Sequence, residues 1–135
     1  MELSGNADMF GIMKVTQNAE NGIAETEFTL PARRVLQLAT SEGARSMGIG
    51  DQTGSLKAGK RADLIMVNTR GINLGVFGDP AHMLVTAAEP ANVDMVVADG
   101  RILKRNGKLV AMNADTIVKE AAAANVALRK RANWW

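Results

Sequence analysis

The 135-residue chain is 47 % apolar, which suits one domain able to bury a core without staples and excludes disorder as its main description. Lys+Arg at 16 against Asp+Glu at 14 leaves a net charge of only +2, so nothing calls for nucleic acid or an acidic partner. Zero cysteines exclude disulfides, iron–sulfur clusters, thiolate zinc and a cysteine nucleophile, and the single histidine, His82, excludes any multi-histidine metal site built from this chain alone.

Helical spacing of Met9, Phe10, Ile12, Met13 and Thr16 predicts a helix over 6–17, capped by Asn6 and stopped at Asn21-Gly22. A second helix is expected from Pro31, with Thr29 as cap and Val35, Leu36, Leu38 and Ala39 turned inward. Thr40 and Ser41 read as the cap of a further short turn that carries Ala44 and Met47 and stops at Gly48. The run ADLIMVN, residues 62–68, then reads as a strand buried on both faces.

RGINLGVFGDP reads as loop, and Asp79-Pro80 opens a helix that reaches Ala88 and ends before Pro90. In VDMVVADGRILKRNGKLV, Asp99-Gly100 and Asn106-Gly107 are two-residue hairpin turns, which predict a three-stranded antiparallel meander. Asn113 caps a final helix whose Ile117, Ala121, Ala124 and Leu128 form one stripe, with Arg129, Lys130 and Arg131 placed favourably at its C-terminal end. No apolar run approaches a membrane span and MELSGNADMF lacks the pattern of a signal peptide, so a cytoplasmic protein is expected.

Several residue patterns are candidates for chemistry. GSLKAGKR, residues 54–61, matches a phosphate-loop spacing at Gly54, Gly59 and Lys60, but Arg61 stands where the magnesium-binding Ser or Thr belongs. A strand comes after this segment instead of before it, so it reads as a turn leading into a strand. Gly71, Gly75 and Gly78 do not make a dinucleotide fingerprint. His82 has no second histidine to share a metal and reads as structural or exposed. Asp94, Asp99 and Asp115 occupy strand, turn and cap positions. Asp63 opens an apolar strand and reads as a structural hydrogen-bond acceptor, for a backbone amide or Lys60. Arg129, Lys130, Arg131, Trp134 and Trp135 read as a solvated helix end, with no membrane or nucleic-acid role.

Two stretches go beyond composition: ARRVLQLATSEGARSMGI and DQTGSLKAGKRADLIMVN together resemble the C-terminal part of the amidohydrolase superfamily. The similarity points to its cytosine-deaminase, triazine-hydrolase and S-adenosylhomocysteine-deaminase group. The later VDMVVADGRILKRNGKLV resembles that group's terminal hairpin, and SGNADMFGIMKV extends the similarity weakly towards the start. The resemblance implies a metal-dependent (β/α)₈ barrel with a β-sandwich assembled from both chain ends, hydrolysing amino or chloro substituents from heterocycles with zinc or iron. The family's ligands, a His-x-His pair, two later histidines and an aspartate, have no matching positions here; LSGNADMF resembles the segment just downstream of that aspartate. A whole barrel takes ~250 residues, so it does not fit in this length.

The expected fold is therefore mixed α/β: terminal helices of a barrel, the C-terminal part of a composite β-sandwich as a short strand and antiparallel meander, and a C-terminal helix. Residues 1–48 form the helical segment, 49–112 the β-rich segment and 113–135 the last helix, expected as one compact unit because no linker separates them. No catalytic, cofactor or metal residue is assigned. Gly54, Ser55, Gly59, Lys60, Ala62 and Asp63 carry over only as a structural signature, a turn into the sandwich strand. The expected role is the C-terminal portion of an amidohydrolase, silent alone. The alternatives are a non-enzymatic binding or oligomerisation module, or one subunit of a split amidohydrolase. The expected partner is a second copy or the missing N-terminal barrel half.

Overall fold

In the computed structural model, which describes residues 7–134, the first helix, α1, spans Met9–Ile23. Its cap is Asp8, whose carboxylate accepts from the Phe10 amide at 3.0 Å; Asn6, the expected cap, lies outside the described residues. The helix also runs through Asn21-Gly22. It stops where Glu25 takes a left-handed φ of 52°, and the Thr26 and Glu25 amides close back on the Asn21 and Gly22 carbonyls in a Schellman arrangement. Asn21 instead braces the following connection, with Oδ1 accepting from the Leu30 amide and Nδ2 donating to the Glu27 carbonyl.

The second helix, α2, spans Ala32–Gln37 after Pro31, with no side-chain cap, so Thr29 does not serve. It continues without a break into a π turn, Leu38–Glu42, and then α3, Gly43–Ser46. Thr40 and Ser41 therefore do not re-cap a new helix. The Thr40 hydroxyl donates back to the Leu36 carbonyl of its own helix at 2.6 Å, a bond available only to a residue already inside the helix. An ion pair between Arg34 and Glu42 spans the π turn, and the run ends at Gly48 with φ 74°.

The strand β1, Leu64–Val67, pairs antiparallel with β2, Val93–Ala98, from Leu64 opposite Val97 to Val67 opposite Val93. Between them lies α4, Pro80–Thr86, capped by Asp79 as expected, and a 3₁₀ turn over Pro90–Asn92. The meander continues through β3, Arg101–Arg105, and β4, Lys108–Leu109, giving one four-stranded antiparallel sheet in the order β1-β2-β3-β4. Both hairpins use the expected turns. Asp99 and Gly100, then Asn106 and Gly107, all have positive φ, the conformation that matches the twist of a two-residue hairpin.

β1 is not buried on both faces. As the end strand of the sheet it has a neighbour on one side only, and Ile65 and Met66, which point to opposite faces, are 49 % and 53 % exposed. The core sits instead among the helices and the β1–β2 end of the sheet: Phe10 and Met13 of α1, Val35 of α2, Leu74 of the long loop, Met83 and Val85 of α4, and Val93 of β2. Leu38, expected inward, is 39 % exposed. The loop carrying Leu74 is fixed by a reciprocal amide pair, Asn73 Nδ2 to Asn92 Oδ1 at 2.9 Å and Asn92 Nδ2 to Asn73 Oδ1 at 3.1 Å.

The last helix, α5, spans Ala114–Arg131, with the Asn113 side chain accepting from the Thr116 amide as expected. A Schellman closure ends it, the Trp134 amide bonding the Arg129 carbonyl across a left-handed Asn133. It contains no buried residue: Ile117 and Leu128 of its apolar stripe are about half exposed. Among the described residues no helix is long and apolar enough to cross a membrane.

Candidate functional site

The segment from Gly54 to Asp63 forms a turn leading into β1, braced by Lys60. Lys60 Nζ donates to the Gly50 carbonyl at 2.5 Å, the Thr53 carbonyl at 3.1 Å and Ser55 Oγ at 2.8 Å. Its donors are thus directed at the loop itself. Gly54, at φ 83°, packs against the π turn and α3 so closely that an added Cβ would lie 2.6 Å from Ala44 Cβ of α3 and 3.0 Å from Ser41 Cα of the π turn. The Arg61 amide closes the loop on the Gln52 carbonyl at 2.8 Å.

Asp63 is the structural acceptor expected, but Lys60 is not its partner. One carboxylate oxygen accepts from the Asp99 amide at 2.7 Å and the other from Thr53 Oγ1 at 2.9 Å, which ties the 49–60 loop to the β2–β3 turn. Chiefly the Asp99 amide, and then the Thr53 hydroxyl, hold this carboxyl below the usual carboxylate range. A folded pKa below the unfolded value of about 3.9 contributes stability that is present above that value and lost as pH falls through the folded pKa. Asp63→Asn is therefore expected to be less stable than the natural protein at neutral pH. The gap should narrow below about pH 4. Urea midpoints across an acid series test this, and a gap that stays constant into the acid range would contradict it.

His82 lies on the exposed side of α4, facing a groove of about 1020 Å³ that Asn18, Glu25, Phe28, Arg33 and Asp79 also line. Arg33 and Asp79 approach at 3.7 Å and are both largely solvated. Asp94, Asp99 and Asp115 lie on β2, in the β2–β3 turn and in the first turn of α5, so these three carboxylates do not converge. Among the described residues no group of three or more His, Asp or Glu side chains could hold a metal ion. The sequence has a single histidine, so a multi-histidine donor set cannot be built from this chain alone.

What residue-by-residue reading misses is an apolar groove of about 890 Å³ between α1, the π turn, the 49–56 loop and β1. Met9, Ile12, Leu38, Met47, Leu56 and Ile65 line it and remain exposed. Met9, Ile12 and Leu38 have the spacing of core residues, and nothing in that spacing sets them apart from the side chains that are buried.

Residues 4–103 match the amidohydrolase family. This chain belongs to the amidohydrolase family. It is 38 % identical over 125 residues to a 5'-deoxyadenosine deaminase of Methanothermobacter thermautotrophicus, covering 91 % of this chain and 29 % of that protein. It is 34 % identical over 116 residues to a 5-methylthioadenosine/S-adenosylhomocysteine deaminase of Syntrophobacter fumaroxidans, covering 86 % of this chain and 26 % of the relative. Its fold matches that of a zinc-bound adenosine deaminase from Xanthomonas campestris with a TM-score of 0.85 at 27 % identity, over 90 % of this chain and 28 % of the other. A zinc complex of atrazine chlorohydrolase from Arthrobacter aurescens matches at 0.76 and 27 % identity, over 84 % and 25 %. The chain thus spans between a quarter and a third of the length of these amidohydrolases. Mixed α/β structure, with an antiparallel four-stranded sheet and a C-terminal helix, is the form this portion of the family takes here.

Proposed function

We propose that the chain is the C-terminal portion of a metal-dependent amidohydrolase that deaminates an adenine nucleoside, and that by itself it is catalytically silent. In this reading α1 to α3 are terminal helices of the barrel, and β1 to β4 are the C-terminal share of a composite β-sandwich. The observation that carries it is the pairing of a close fold match to an adenosine deaminase over nearly the whole chain with coverage of only 28 % of that enzyme. The single histidine of the sequence supports silence, because activating water on zinc needs several converging ligands.

The uncovered surface fits the same reading. The apolar groove, the free edge of β1 and the stripe of α5 are where the remaining polypeptide of such an enzyme would pack. The test is adenosine deamination by washed protein, followed by ultraviolet absorbance, with elemental analysis alongside. Turnover at background and no stoichiometric zinc or iron are the expected results. Turnover that a chelator abolishes would overturn silence.

Alone in solution, the chain is expected to cover part of this surface with a second copy. Apolar burial stabilises by roughly 25 cal/mol per Å², so several hundred Å² is worth several kcal/mol before association costs. A two-fold pairing is the commonest closed form. Sedimentation at micromolar concentration should show a dimer or higher closed oligomer; a monodisperse, folded 14.4 kDa species would refute this.

A further inference from the structure

We draw no further inference here: the strongest candidate, the apolar groove between α1, the π turn and β1, belongs to the surface already assigned to the remaining polypeptide of the amidohydrolase, and nothing in the structure shows a different occupant.

Discussion

Gly54→Ala is expected to destabilise the chain by roughly 2–5 kcal/mol, combining backbone strain with overpacking. The backbone at Gly54 has φ 83°, where a side chain costs about 1–2 kcal/mol. Its added Cβ would also meet Ala44 Cβ at 2.6 Å and, at 3.0 Å each, Ser41 Cα and the Thr40 carbonyl oxygen. None of these is the movable end of a long side chain, so the loop must move away from the π turn and α3. Gly59 is the internal control: its φ is 88°, yet an added Cβ there meets nothing within 4 Å. Gly59→Ala should therefore cost only the strain, about 1–2 kcal/mol. Urea unfolding followed by far-ultraviolet circular dichroism compares the two. Equal losses would mean that the contact between the Gly54 loop and the π turn contributes nothing.

The second large effect separates two positions on one short helix. Val85 is 1 % exposed inside the core, and Val85→Asp would place a carboxylate there with no partner. A loss of about 3 kcal/mol or more is expected, a large fraction of the roughly 5–15 kcal/mol typical of a domain. His82 lies on the exposed side of the same helix, and His82→Ala should change stability by less than about 0.5 kcal/mol. Thermal unfolding by circular dichroism measures both. A destabilisation by His82→Ala comparable to that of Val85→Asp would contradict the place of His82 on the exposed side of α4.

Local signals are legible wherever the chemistry lies within a few residues. Asp99-Gly100 and Asn106-Gly107 supply the positive φ of the hairpins from their own side chains or lack of them, and Asp79 and Asn113 cap helices through their own carboxylate and amide. The π turn is not legible, because Thr40 and Ser41 have the composition of a cap while the close approach of Gly54, more than ten residues further on, packs against the turn they occupy. The exposure of β1 is equally hidden: LIMV has the composition of a doubly covered strand, and its place at the end of the sheet is set by pairing that its own residues do not encode. For Asp63 the role is readable and the partner only half so. A backbone amide is one of two expected donors, but that it comes from Asp99 depends on the β1–β2 pairing, and Lys60 is drawn away by two carbonyls of its own loop. Asp94, Asp99 and Asp115 lie on separate elements, whereas Asp79 and Glu25 share a groove with His82. The family is readable because its signature stretches follow one another in order, through the α2 to α3 helical run, the loop that enters β1 and the β2 to β4 meander.

The placement of the aromatic residues decides how this protein can be watched. It has no tyrosine, and both tryptophans are its last two residues. Trp134 follows the end of α5, a helix with no buried residue, and is 64 % exposed. Intrinsic fluorescence therefore reports on the far end of that helix and carries little signal from Phe10, Val35 or Val85. Emission that shifts when a partner arrives, while circular dichroism stays level, would be the optical signature of α5 being covered.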